Sequence, residues 1–361
     1  MLETRPRLSF DEYGRCSACE WVELKKIIDW DVRRQELIAL LEKHRSLDGG
    51  FDCVVPVSGG KDGSYVSHKL KTEFNMNPLC VTVQPHTATR LGRLNLEKFI
   101  ESGFNHITIN PHHGAMRRLN KLGLIEMGQP YYGWLLAVTN APLLMAEKFD
   151  CNLVFYGENG EVEYGGTKEN RYQPFRDVEL TKRVFLEGGY DRIIEESGIP
   201  QAHLNFFKFP AGHANGVLDV TYWSHFEDWD PYRNYQVAKN HCGLQEKQEN
   251  NSGTYTNFAQ NDQALYALHA WLMYLKFGFG RATQDACIDI RRGGMDRDQA
   301  ENLVDLFDGN FPVDHLDTYL DYYELSEDEF FQILGKWTNS ELFEFDGRVW
   351  RRIFEREMRG G

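Results

Sequence analysis

The 361 residues predict an α/β fold, a doubly wound parallel sheet followed by a helical C-terminal extension. Three observations carry that prediction. Short, almost wholly apolar runs at 51–57, 79–83, 106–109 and 153–156 have the length of strands covered on both faces. Helical patterns separate them, as crossovers between parallel strands require. Beyond residue 230 the apolar spacing is mainly helical.

Residues 1–48 read as a cysteine-bearing segment and then a helix that begins near Asp29, with Leu37, Ile38, Leu40 and Leu41 at helical spacing. Residues 49–229 read as the α/β domain, with helices predicted at 64–74, 92–102, 114–122 and 132–149 and a fifth strand at 217–226. Residues 230–361 read as the extension. Asp230-Pro231 sets a capping residue before a proline at the first helical position. A strong helix is predicted over 261–277, and Ser326 opens another with Glu327, Asp328 and Glu329 in its first turn.

Hydrophobic residues make up 42% of the chain and aromatics 13%, enough for a substantial core. No apolar run reaches the ~18 residues of a membrane span, and the polar start lacks the apolar stretch of a secretory signal. A cytoplasmic location without a membrane partner is expected. With 54 acidic against 40 basic residues the net charge is −14, which weighs against nucleic acid as a partner. Seven scattered cysteines do not suggest a disulfide framework.

Ligands of a parallel sheet sit beyond the carboxyl ends of its strands. There, after the first strand, stands Ser58-Gly59-Gly60-Lys61-Asp62-Gly63-Ser64, opening a helix. Adjacent glycines let backbone N–H groups turn towards one anion, and the helix N-terminus adds its positive end. Ser58 and Ser64 offer hydroxyls, Lys61 a point charge, and Asp62 a ligand for magnesium or an orienter of the loop. The spacing differs from G-x-x-x-x-G-K-S/T, so this is not the usual γ-phosphate-transferring loop.

Glu158 and Asn159 follow the fourth strand, where they could position substrate or metal or act as a base. Glu163-Tyr164-Gly165-Gly166 could close over the same site. Arg281, Arg291 and Arg292 could bind a carboxylate or phosphates, a surface ion pair being an equal alternative for each. His112-His113 follow the third strand, though loop histidines are more often simply polar. Tyr131, Tyr132, Trp134 and the 223–229 region could stack on a sugar or adenine, with core packing the commoner role. Cys16 and Cys19 lie in a polar turn that suits one half of a zinc knuckle, a tetrahedral site needing two more ligands. Cys53, Cys80 and Cys151 read as core residues.

Ser58-Gly59-Gly60-Lys61-Asp62 resembles the loop of the PP-loop ATP pyrophosphatases, whose members include GMP, NAD and asparagine synthetases. Many members have Ser or Thr where this chain has Gly63. Thr4-Arg5-Pro6, Phe10-Asp11-Glu12-Tyr13-Gly14, Cys16-Ser17-Ala18-Cys19, Tyr156-Gly157-Glu158-Asn159, Glu163-Tyr164-Gly165-Gly166 and Gly278-Phe279-Gly280-Arg281-Ala282-Thr283 follow in order. Together they resemble the N-acetyl-sugar amidotransferases of bacterial surface-polysaccharide and flagellar-glycan pathways.

That resemblance implies a sheet of the adenine nucleotide alpha hydrolase-like type, ATP and Mg2+ as cofactors, and an acetamido sugar as substrate. The expected acceptor is a nucleotide-linked diacetamido uronic acid or a nonulosonic acid such as pseudaminic or legionaminic acid. Adenylation of the amide oxygen and displacement by ammonia would give an acetamidino sugar, AMP and pyrophosphate. No glutaminase signature is evident in the sequence, and the resemblance implies a separate glutaminase and an ammonia-conducting subunit as partners. It also implies a cysteine pair upstream of Thr4, where this sequence has Met1-Leu2-Glu3; either the start is truncated relative to the family or the metal site is lost, unless residues such as Cys242 or His241 complete a structural Zn2+ site. The alternatives are a PP-loop tRNA-modifying enzyme and a non-catalytic ATP-binding regulatory protein.

Overall fold

The computed structural model describes residues 2–214 and 216–354; residue 1 and residues 355–361, the outer ends of the first and third expected segments, lie outside them. Two helices precede the sheet, α1 (Ser17–Lys25) and α2 (Trp30–His44). The side chain of Asp29 accepts from the N–H groups of Asp31 and Val32, both at 3.1 Å, which starts α2 at the residue the sequence marks. Cys16 is the N-cap of α1 and Cys19 lies in its first turn, so the polar turn expected there is a helix start.

The described strands of the main sheet are β1 (Cys53–Pro56), β2 (Pro78–Val83), β3 (Asn105–Ile109), β4 (Leu153–Tyr156) and β5 (Asp219–Tyr222). They are all parallel, in the order β3-β2-β1-β4-β5, with Val54 of β1 opposite Leu79 of β2 and Val154 of β4. The order reverses between β1 and β4, which opens a crevice beyond their carboxyl ends. β5 is shorter than the 217–226 run, because Trp223–His225 coil into a tight turn that drops Trp223 into the core against Phe155.

The crossovers are α3 (Lys61–Thr72), α4 (Arg90–Glu101), α5 (His113–Met127) and α6 (Tyr132–Lys148). Between β4 and β5 lie the short α7 (Gly160–Glu163), α8 (Val178–Leu180), α9 (Tyr190–Glu196) and α10 (Ala211–Ala214). One face of the sheet is covered by α5, α6 and α9 through Met116, Leu119, Leu136, Leu143 and Ile193. Leu41, Val66, Leu70, Phe99 and Cys242 help cover the other. Cys53, Cys80 and Cys151 are buried in these layers, as expected of core residues.

After α11 (Pro231–Cys242) come α12 (Leu265–Phe277), α13 (Arg281–Arg291), α14 (Arg297–Phe307), α15 (Leu316–Tyr323) and α16 (Glu327–Lys336). Asp230 caps α11 by accepting from Tyr232 N at 2.8 Å, and Ser326 with Glu329 forms a reciprocal capping box on α16. These helices build a core of their own around Leu268, Leu272, Tyr319, Tyr323 and Phe330, which also takes in Leu124 of α5. A hairpin of β6 (Phe343–Phe345) and β7 (Trp350–Arg352), not anticipated from the sequence, completes the described chain. α12 begins at Leu265, not at 261, because the residues before it pair with the chain ahead of α4: Thr89 N donates to Asp262 O and Ala264 N to Thr87 O. Among the described residues no helix is long and apolar enough to cross a membrane.

Candidate active site

A cavity of about 520 Å³ opens beyond the ends of β1 and β4. Ser58, Gly60, Lys61, Asp62 and Gly63 form one side of it. Gly59 has φ 77°, and a Cβ there would lie 2.4 Å from Leu96 N, so the loop is pressed against α4 in a way only glycine allows. A Cβ on Gly63 would lie 2.7 Å from the Pro56 carbonyl oxygen, which gives the departure from Ser or Thr a physical reason. Gly60 is the N-cap of α3 and no side chain caps the helix, so its first N–H groups lack a side-chain acceptor. Lys61 Nζ is ion-paired with Asp62 Oδ2, while Asp62 Oδ1 is buried without a hydrogen-bond partner. Ser64 is fully buried, its hydroxyl unpartnered and off the cavity, so it does not stand in for a hydroxyl at 63.

Glu158 and Tyr164 form the opposite side. Tyr164 donates its hydroxyl to Glu158 Oε1 at 3.3 Å. Burial pushes the Glu158 carboxyl up to about 7, helped by the negative charge of Asp62 and opposed by Lys61. Burial and the Glu158 charge push the Tyr164 phenol well above its ordinary value. A Cβ on Gly157 would meet the Trp229 ring at 3.0 Å and Asp62 Cβ at 3.1 Å, so the glycine is what lets the loop of β1 approach the end of β4.

Three residues expected at this site turn away from it. Asn159 caps α7, accepting from Glu161 N at 3.2 Å, and its own N–H donates to Ser224 Oγ at 3.0 Å. Glu163 points inward to Trp21 Nε1 at 2.8 Å and Lys25 Nζ at 3.1 Å. Gly165 accepts from Ser17 Oγ at 2.9 Å, and a Cβ on it would strike Ala18 and Leu8. Short α7 explains all three. It consumes Asn159 as its cap and then turns the following residues onto α1.

The third wall comes from the C-terminal helices. Arg281, the first residue of α13, borders the cavity and pairs with Asp285 at 2.9 Å. Burial works against its charge, but Asp285, Tyr164 and Asp62 more than offset that and raise the guanidinium. Gln284, Ile288 and Arg291 line the cavity from the same helix, at spacings that put them on one face. Arg292 instead lies over Tyr232, 4.0 Å from the ring centroid.

Sequence reading missed Asp262, Tyr266 and His269, which also border the cavity. Burial pushes the Asp262 carboxyl up to about 6 and the His269 imidazole down to about 4, and Asp262 Oδ2 and His269 Nδ1 have no partner. Tyr266 forms a ring cluster with Tyr131 (5.3 Å) and Trp134 (5.8 Å). A signal was present: Leu265, Leu268, Leu272 and Leu275 mark the core face of α12, while Tyr266, His269 and Met273 repeat on another face. Tyr132, Trp223 and Trp229 are core residues.

The histidines after β3 are structural. His112 Nδ1 caps α5 by accepting from Ala115 N at 3.2 Å and stacks on His203, and His113 stacks on His86. Cys16 and Cys19 have sulphurs 3.5 Å apart, with the Cys16 thiol held low by its neighbour and that of Cys19 pushed up. Among the described residues no group of three or more His, Cys, Asp or Glu side chains is placed to hold a metal, so the expected zinc set is not completed.

Residues 252–356 match the protein-family description "LPS biosynthesis protein WbpG-like, C-terminal domain". None of the curated proteins compared matches the chain. Among solved structures, the U34-tRNA thiolase NcsA from Methanococcus maripaludis with its 4Fe–4S cluster aligns at 10% identity over 91% of this chain and 86% of that one, with a TM-score of 0.33. NMN synthetase from Francisella tularensis aligns at 13% identity over 61% of this chain and 89% of that one, with a TM-score of 0.26. Scores this low leave the fold to be read from the strand order and the loop themselves. The strand order and the glycine-rich loop show a parallel α/β sheet with an uncapped helix start at its crevice, and residues 252–356 are similar to the WbpG-like C-terminal domain.

Proposed function

We propose that the chain is an ATP-dependent amidotransferase that turns an acetamido group on a sugar into an acetamidino group. One observation carries the reading. The uncapped, glycine-rich start of α3 and the ring-bearing wall of the matched C-terminal region face one cavity. The first suits a phosphate chain, and the second suits a sugar.

The amide oxygen attacks the α-phosphorus of ATP, the α–β bridging bond breaks, and pyrophosphate leaves against the α3 N–H groups and Lys61. Ammonia then adds to the activated carbon and loses a proton, and the C–O bond breaks with AMP as leaving group. Glu158, raised to about 7, accepts that proton, and Tyr164 holds its carboxylate in place. Arg281 supplies positive charge at the site's third wall. Asp62, with one carboxylate oxygen unpartnered, fits a magnesium ion, which would offset phosphate charge when bound. A separate glutaminase and an ammonia-conducting subunit supply the nitrogen in this reading, and glutamine-dependent turnover by the chain alone would count against them.

The test is ATP turnover with ammonium salt across a panel of acetamido sugars, resolving AMP from ADP. AMP and pyrophosphate formed only with an acetamido sugar, whose product carries nitrogen in place of oxygen, would support the proposal. ADP as product, or AMP formed equally without acceptor, would remove it.

A further inference from the structure

Beyond Arg281 there is a second cavity of about 250 Å³. It shares Tyr266, Ala270, Arg281 and the 259–261 stretch with the main one, so the two meet at a common wall. The charged groups among its described lining residues are of one sign, Lys247 and Arg281, with no carboxylate, while burial holds the His315 imidazole below its ordinary value. In a chain of net charge −14 that is a marked local reversal. Arg281 is already paired with Asp285, but Lys247 has no ion pair among the described residues. The rest of the polar lining is uncharged, including Asn251, Ser252 and Asn261, and Asn261 Oδ1 is buried without a partner. Amides and hydroxyls are the groups that hydrogen-bond sugar hydroxyls, and cations of one sign select an anion.

We infer that this smaller chamber receives the anionic, hydroxyl-bearing end of the acceptor sugar, with Lys247 on the anion, while the acetamido end reaches the main cavity past Arg281. The word acceptor rests on the function proposed above. The anion is either the carboxylate of a sugar acid or the diphosphate of a nucleotide-linked sugar, which share this chemistry.

The test is calorimetric titration of the full chain, without turnover, with glucuronate and with UDP-N-acetylglucosamine. It compares wild type, Lys247→Ala and Lys247→Arg; position 247 is exposed, so folding should survive. At least one probe should bind wild type, weaken roughly tenfold or more in Lys247→Ala and recover in Lys247→Arg, with ATP affinity unchanged. Dependence in the glucuronate arm assigns a carboxylate, and dependence with UDP-N-acetylglucosamine alone assigns the diphosphate. No binding of either probe, or binding indifferent to Lys247→Ala, overturns the inference. Because binding is read directly, failure to form AMP would remove the proposed reaction and leave this result standing.

Discussion

The segments after β1 and after β4 occupy equivalent places, each leaving the carboxyl end of a parallel strand beside the switch in strand order. They use their polar residues differently. After β1 the chain enters a helix of 12 residues with no side-chain cap, and Ser58, Lys61 and Asp62 all border the cavity. After β4 it enters a helix of four residues that takes Asn159 as its cap and sends Glu163 back to α1. Only Glu158 and Tyr164 of the candidates there remain at the cavity. A polar residue beyond a strand thus serves the crevice only when no local backbone or buried cation claims it first.

The largest expected effect tests the first segment. Lys61→Ala should lower AMP formation by roughly 10²–10³-fold, since it removes a fixed charge from a developing anion. Steady-state rates with saturating ATP would measure this, and a loss under threefold would break the comparison.

Glu158→Gln should follow, lowering the rate on the order of 10²-fold at pH 8. In the wild type the rate, taken at constant free ammonia, should rise with pH to a plateau above about 7, and the variant should lose that rise. The stability sign is opposite. A carboxyl raised in the folded state favours folding while protonated, so stability should fall as pH climbs from the ordinary carboxylate value through about 7. Glu158→Gln should flatten that slope in denaturant melts.

Glu163→Ala sharpens the contrast from the other side. It leaves Lys25 buried with Asp228, 2.7 Å away, and the Trp229 carbonyl oxygen at 3.5 Å, and strips Trp21 Nε1 of its acceptor. A loss of about 1–3 kcal/mol in unfolding free energy is expected. Activity per folded molecule should hold at low temperature; a raised acceptor KM with unchanged stability would return Glu163 to the substrate site. Asn159→Ala should do the least, costing about 1 kcal/mol as a lost helix cap. If it instead slowed turnover a hundredfold with little change in melting, Asn159 would be a catalytic residue despite its capping bonds.

Much of the α/β layer was legible because its rules are local. The apolar runs at 79–83 and 153–156 recur as β2 and β4, and Asp29, Asp230 and Ser326 cap the helices they announce. The loop at 58–64 could be read as an anion cradle because its chemistry lies in adjacent backbone groups. Glu163 could not be told from Glu158 by that route: they are near neighbours in sequence, and what separates them is a lysine on α1.

By itself, then, the sequence determined the alternation of strands and helices, the strand end at which the glycine-rich loop stands, and the residues able to cap. Periodicity, glycine and capping act within a few residues, so one chain segment suffices to state them. Tertiary structure alone decided that Asp62 comes up to Gly157, that Glu163 faces Lys25, and that Arg281, Asp262 and Tyr266 wall the same cavity as the loop. Those placements depend on packing between segments up to some two hundred residues apart, where burial and a neighbour's charge set what each side chain can do.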